Sequence, residues 1–243
     1  MADVTFPASQ GELRGYLALP AGQGPWPGVI VIHDVFGMSS DLRRQCDWLA
    51  EAGYLALGPD LYSWDRKWAC LRSTMSDLRA GRGRAFDDIN AARNWLAVGS
   101  EHCSGQVGII GYCMGGGFSL LLAPSGNYSV SSVNYGEVPD DAEGVLAGAC
   151  PIVASYGARD RRLKGTAARL EKALEADGVS CDVKEYQDAA HGFLNQHDGA
   201  TGVLITVMGR LMGVGYHEPS AADARRRIID FFDRHLKVPV DRG

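Results

Sequence analysis

The sequence predicts an α/β fold in which a mostly parallel sheet carries helices on both faces. Three observations lead there: short apolar runs alternate with helix-spaced segments along the chain, one run (Gly28 to Ile32) is continuously apolar and β-branched, and another (Val107 to Ile110) stops at a glycine-flanked turn into a helix-like stretch. A strand with no polar alternation is one covered on both faces, as in parallel sheets. The alternation itself needs crossover helices, and these place ligands at the carboxyl ends of the strands. No internal repeat and no second domain is evident, so residues 1–243 are expected to form a single domain.

In chain order, Val4 to Phe6 and Glu12 to Leu19 read as two strands around Ser9-Gln10-Gly11, an antiparallel entry to the sheet. After the Gly/Pro connector 20–27 and the strand ending at Ile32, Ser39 or Ser40 can cap a helix with Leu42, Cys46 and Leu49 on one face, closing at Gly53. Tyr54 to Leu57 gives another strand. Ser63 to Arg84, with two tryptophans and several arginines, reads as an excursion over the surface. Phe86, Ile89, Ala92 and Leu96 follow helical spacing. Strands are predicted at Val130 to Asn134, Pro151 to Tyr156 and Val183 to Tyr186, with a helix over Leu163 to Leu174 ending at Gly178. The last helix begins at Pro219-Ser220, where Ser220 and Asp223 resemble a capping box, and its apolar face is Ala224, Ile228, Phe231 and Leu236.

Composition removes several function classes. The chain has 243 residues, 46% hydrophobic and 22% charged, enough for a large core. A net charge of −5 without a basic stripe argues against binding nucleic acid. No apolar run approaches the roughly 20 residues of a membrane span, and Met1 to Gln10 lacks the basic and apolar regions of a signal peptide, so a cytoplasmic protein is expected. The six cysteines are dispersed without a C-x-x-C pair, which suggests free thiols and no zinc knuckle.

The chemistry concentrates at Gly111-Tyr112-Cys113-Met114-Gly115, which fits G-x-C-x-G: a nucleophile elbow with cysteine in the serine position. A strand turning sharply into a helix forces the middle residue into an unfavourable backbone conformation, and small residues two positions either side relieve the crowding. The helix N-terminus behind Cys113 brings N–H groups and positive potential, which favour a thiolate and a nearby oxyanion. Polar residues follow other strand ends: Asp34, Asp160 and His191. A cysteine nucleophile needs a base, and the base an orienting carboxylate; the order Cys113, Asp160, His191 is nucleophile, acid, histidine. Asp188 lies too close to His191 in sequence to hold its far ring nitrogen. His33 reads as a structural partner of the loop after its strand, His102, His217 and His235 as surface or helix-end residues, and His197 has no assigned role.

These residues resemble the dienelactone hydrolase family, a branch of the α/β-hydrolases with a Cys-His-Asp triad. The matching motifs are H-D-V-F-G at 33 to 37, G-P-D-L-Y at 58 to 62, G-Y-C-M-G-G at 111 to 116, G-A-R-D at 157 to 160 and A-H-G-F at 190 to 193, in the family's order. The resemblance implies an α/β-hydrolase fold and hydrolysis of a small ester or lactone without cofactor or metal, with Cys113 as nucleophile, His191 as base and Asp160 orienting it. It also implies an oxyanion hole of the Val35 and Met114 N–H groups. Asp34 stands where the family usually has a glutamate that restrains the cysteine; one methylene shorter, it could restrain Cys113 or only shape the loop. Members acting on the dienelactone clamp its carboxylate with arginines, one of them four residues after the histidine. Here that residue is the neutral Asn195, and Arg66 or Arg72 could supply the second.

An apolar stretch within 194–217 is expected to cover the site, by lining an acyl pocket or by packing on the body. Together with Asn195 it favours an uncharged or hydrophobic ester, lactone or thioester. A thioesterase, or a redox-sensing thiol protein without turnover, is the alternative function. A monomer or weak homodimer is expected, with no nucleic-acid or membrane partner.

Overall fold

The computed structural model describes residues 1–198 and 214–237. Eight strands form one sheet: β1 (Ala2–Ala8), β2 (Gly11–Ala18), β3 (Trp26–Ile32), β4 (Leu55–Pro59), β5 (Cys103–Tyr112), β6 (Val130–Asn134), β7 (Ile152–Gly157) and β8 (Cys181–Tyr186). Their order is β1-β2-β4-β3-β5-β6-β7-β8. The β1–β2 and β2–β4 pairs are antiparallel, and every pair from β4 to β8 is parallel.

Helices α1 (Ser40–Glu51), α2 (Lys67–Ala80), α3 (Arg84–Gly99), α4 (Met114–Leu122), α5 (Ala142–Val145), α6 (Thr166–Ala176) and α7 (Glu218–Leu236) fill the connections. The two-sided burial predicted for the central strands is visible along β3. Val29 and Val31 join the apolar cluster that contains Leu42 and Leu49 of α1 and Ile228 of α7, whereas Ile30 and Ile32 join the one containing Ile89 and Leu96 of α3. Successive side chains point to opposite faces of a strand, so these clusters are the two sides of the sheet.

Most predicted elements form within a few residues of their expected limits. Ser39 caps α1 by accepting the Leu42 N–H, and the apolar face expected of α7 is buried. Two local expectations fail. Residues 63–84 are not a surface excursion: α2 occupies most of them, burying Cys70, Thr74 and Leu78. Its weak amphipathicity hid it, since Trp68, the bulkiest apolar residue, points to solvent at 77% exposure. The capping box at Ser220 and Asp223 is also absent. Helix α7 starts at Glu218 with Pro219 in its first turn, so Ser220 lies inside the helix beside His217 Nδ1 (2.9 Å) and Asp223 pairs with Lys184 (2.7 Å). Of the expected cover, residues 199–213 lie outside those described; Val214 forms a parallel bridge with His191.

Candidate active site

Five strand ends on the carboxyl edge of the sheet supply the site, and the turn after β5 sits at its centre. Cys113 has φ 55° and ψ −114°, a conformation that side-chain-bearing residues rarely adopt. The flanking glycines are sterically required: a Cβ on Gly111 would lie 1.9 Å from the Gly115 carbonyl oxygen, and one on Gly115 would lie 2.3 Å from that of Ile32. Backbone pairing holds the turn, with the Cys113 N–H donating to Asn134 O (3.0 Å) and Asn134 Nδ2 to Gly111 O (3.1 Å). Met114 opens α4, so its N–H belongs to the first turn, which has no intrahelical acceptor.

His191 and Asp160 arrive from the loops after β8 and β7. Asp160 is buried, its Oδ1 accepts the Arg162 N–H (3.0 Å), and its Oδ2 lies 2.6 Å from His191 Nδ1. That contact directs the other ring nitrogen away from the acid. His191 Nε2 is buried with no well-formed hydrogen bond to any described residue, while Cys113 and His191 line one cavity. Burial alone would lower the pKa of His191, but the hydrogen bond to Asp160 and the proximity of the Cys113 sulfur and the Asp160 charge outweigh it, raising it to about 9. Burial would raise the Asp160 carboxyl, but the hydrogen bond and charge of His191 hold it below its ordinary value. Asp188, the rejected rival acid, instead pairs with Arg159 at the surface (2.6 Å).

The cavity encloses about 260 Å³ and is walled mainly by apolar side chains, among them Val35, Phe36, Met75, Leu78, Met114 and Leu163. Asp34 lies on its wall, but both carboxylate oxygens are engaged elsewhere than Cys113: Oδ1 accepts the Phe36 N–H (2.8 Å) and Oδ2 faces His197 Nε2 (3.1 Å). Asn195 also lines the cavity, yet its amide is committed, accepting from Tyr135 Oη and donating to the buried Asp41 carboxylate (2.6 Å). Arg66 and Arg72 are exposed on and beside α2, and neither lines the cavity. Among the described residues, the arginine that does is Arg162, 3.6 Å from Glu137, which is also on the cavity wall.

Several site residues escaped the reading of the sequence. Tyr135, the only other described non-glycine with positive φ (43°), packs edge-on against His191 with the ring centroids 5.2 Å apart. Its place directly after the strand ending at Asn134 was an available signal. Arg162 had one too, standing two residues after the candidate acid. Met75 and Leu78 could be found only once α2 was recognised. His33 is buried and structural as expected: Leu61 N–H donates to its Nε2 (3.2 Å), which leaves Nδ1 to donate to Asp34 O (2.6 Å), and burial lowers its pKa.

Residues 13–236 match the model of the dienelactone hydrolase family. The chain belongs to this family. A carboxymethylenebutenolidase of Pseudomonas putida is 24% identical over 242 residues, covering 94% of each chain. Among solved structures, a dienelactone hydrolase-like promiscuous phosphotriesterase from metagenomic libraries superposes with a TM-score of 0.80 at 22% identity, covering 97% of this chain and 98% of that one. The dienelactone hydrolase of Anabaena variabilis gives 0.70 at 21% identity, with 97% of both chains covered. The fold is therefore that of dienelactone hydrolases within the α/β-hydrolase superfamily, and the protein is a hydrolase acting on ester bonds. No described helix is long and apolar enough to cross a membrane.

Proposed function

We propose that this dienelactone hydrolase-family protein hydrolyses an uncharged or hydrophobic carboxylic ester, lactone or thioester through a Cys113 acyl-thioenzyme. The observation that carries the proposal is the combination at the elbow: a strained cysteine at a helix N-terminus shares a cavity with a histidine whose Nδ1 is held by a buried aspartate and whose Nε2 is left open. His191 takes the thiol proton, a transfer that its raised pKa favours. The sulfur attacks the substrate carbonyl, and the N–H groups of Val35 and Met114 receive the oxyanion. Collapse of the tetrahedral adduct breaks the C–O or C–S bond of the leaving group, to which His191 returns the proton. Water then attacks the thioester with His191 as base, releasing the acid and restoring the thiol.

The substrate class follows from the walls. A small, largely apolar cavity favours an apolar acyl group. Asn195 adds no charge and its amide is already bound, so it offers a substrate carboxylate no partner. The proposed enzyme is a single cytoplasmic domain, a monomer or weak homodimer, with no nucleic-acid or membrane partner.

The test is a panel of lactones, aryl esters and thioesters, each assayed with trapping of the acyl-enzyme and weighing by mass spectrometry. The expected result is an adduct on Cys113 and loss of turnover in Cys113→Ala, which has no substitute nucleophile. A Cys113→Ala variant retaining a tenth of the wild-type rate overturns the assignment. Reversible oxidation of Cys113 by peroxide with no turnover of any ester would identify a redox-sensing thiol instead.

A further inference from the structure

The cavity contains a second acid–histidine pair that the hydrolytic cycle above does not use. His197 and Asp34 face each other at 3.1 Å with their side chains only 7% and 8% exposed, and the Phe36 ring packs edge-on against the imidazole at 4.7 Å. Asp34 belongs to the loop that carries Val35, and nearly every other tie on that loop comes from its own part of the chain. His33 Nδ1 and Gly37 N donate to Asp34 O (2.6 and 3.3 Å), Phe36 N donates to Asp34 Oδ1, and Tyr62 Oη donates to Val35 O (3.2 Å). His197 is different. It reaches the loop from the segment after β8, the same segment that presents His191.

We propose that His197 is a positioning residue for the oxyanion hole, pairing with Asp34 so that the Val35 N–H is held in place and the buried carboxylate does not oppose the developing oxyanion. The inference rests on the reading that Val35 is an oxyanion donor. Its physical basis is the placement of a carboxylate on the cavity wall, one residue from that donor. Left unpaired there, its negative charge would raise the energy of an oxyanion beside it, because little solvent intervenes to screen the two. A protonated imidazole at 3.1 Å cancels that field and fixes one carboxylate oxygen, while the Phe36 N–H fixes the other. The groups around His197 support its protonation. Burial opposes it, but the hydrogen bond and charge of Asp34 and the charge of Asp41 raise its pKa above the ordinary value, against the contrary effect of Arg44. Asp198, the next residue, pairs with Arg44 and blunts that effect (2.5 Å).

The experiment compares His197→Phe, His197→Gln, Asp34→Asn and Asp34→Asn/His197→Gln with the wild type. Glutamine retains a neutral donor for Asp34, whereas phenylalanine retains neither donor nor charge. The expected order is a fall in kcat of about 100-fold for His197→Phe and about tenfold for His197→Gln, with KM within twofold, as for a misplaced oxyanion donor. The double variant, which removes the carboxylate charge as well, is expected to be at least as active as His197→Gln alone. Two further readouts separate positioning from general damage. Affinity for a trifluoromethyl ketone, which forms an oxyanion on reacting with the thiol, is expected to fall by the same factor as kcat/KM. Alkylation of Cys113 by iodoacetamide, a displacement that forms no oxyanion, is expected to stay within twofold. Should His197→Phe not fold, Asp34→Asn carries the same two readouts. A wild-type kcat, a loss carried wholly by KM, or alkylation slowed in proportion to turnover would each overturn the inference. Activity surviving Cys113→Ala would remove the underlying reading; activity lost there but intact in His197→Phe removes this inference alone.

Discussion

Two aspartate–histidine pairs flank one cavity, built from the same residue types and held differently. In Asp160–His191 the acid binds Nδ1 at 2.6 Å, and the outer nitrogen is left open in the cavity that Cys113 lines. In Asp34–His197 the acid binds Nε2 at 3.1 Å, so the outer nitrogen of the ring is the one consumed. A histidine whose unpartnered nitrogen shares a cavity with a thiol is placed to exchange a proton with it, whereas one that spends its Nε2 on a wall carboxylate is placed to brace that acid. The two pairs share composition and burial and differ in which ring nitrogen the acid takes.

The most severe test removes the charge from each acid in turn. Asp160→Asn is expected to lower kcat by about 1,000- to 10,000-fold, because an amide presents the wrong partner to His191 Nδ1 and cannot stabilise the imidazolium. Asp34→Asn is expected to cost no more than about 100-fold, since it disturbs only a donor's placement. Steady-state rates on one activated aryl ester suffice for the comparison. Equal losses at the two positions would erase the distinction between them.

Asn195 stands between the two histidines on one segment and ties that segment to α1. Its amide bridges Tyr135 Oη and Asp41, and Gln196 N–H donates to the other Asp41 oxygen (2.7 Å). Asp41 lies in the first turn of α1, where a carboxylate is favoured by the helix dipole. Asn195→Arg, which on sequence grounds installs the missing cation, therefore places a large charged side chain at a filled and buried position. The expectation is a destabilisation of about 3 kcal/mol or more in urea unfolding, with both histidines displaced. Asn195→Ala leaves Asp41 with an unmet partner and is expected to cost about 1–3 kcal/mol. An Asn195→Arg variant of wild-type stability that prefers free-acid substrates would show that the segment can open.

A milder perturbation is pH. His191 is raised to about 9 from an ordinary 6.5, so it binds a proton more tightly folded than unfolded. Its contribution to stability is then fully present below about 6.5 and is lost as pH rises through about 9, an effect on the order of a few kcal/mol. Urea unfolding of the wild type between pH 6 and pH 10 is expected to show this decline, and His191→Gln to flatten it. His197, also raised, moves in the same sense. If His191→Gln leaves the slope unchanged, His197 or another group is its source.

The two pairs also mark the boundary of what the sequence discloses. Cys113, Asp160 and His191 each sit just beyond a recognisable strand, in short motifs whose order is diagnostic, so their convergence could be read before any coordinates. The parallel core was legible for a related reason: β3 and β5 are buried on both faces, and that leaves uninterrupted apolar runs. His197 was not legible. It follows no strand directly, and its partner lies 163 residues earlier, a pairing that only the topology creates. Helix α2 was missed because its pattern is not amphipathic. Of the three residues it buries, Cys70 and Thr74 are small or polar and only Leu78 is a large aliphatic, while Trp68 and Arg72 face outward. Arg66 and Arg72, read as substrate contacts from that stretch, are turned to solvent along with them.

The smallest expected effect concerns the arginine that each pair keeps nearby. Arg44, beside Asp41 and Asp198, belongs to the His197 side and does not line the cavity. Arg162 belongs to the His191 side: its N–H holds Asp160, and its side chain lines the cavity while remaining 72% exposed, 3.6 Å from Glu137. An exposed guanidinium already facing a carboxylate adds little to binding an anion, because water and Glu137 screen it. Arg162→Ala is thus expected to change the ratio of kcat/KM for a free-acid lactone over its methyl ester by less than about fivefold. Arg66→Ala and Arg72→Ala are expected to leave that ratio unchanged. The main-chain N–H of residue 162 still reaches Asp160 after the substitution, so that bond is retained and the ratio isolates the side chain's charge. A wild type that prefers the free acid tenfold or more, with the preference abolished in Arg162→Ala, would make Arg162 a carboxylate anchor and reverse the substrate class proposed for the cavity.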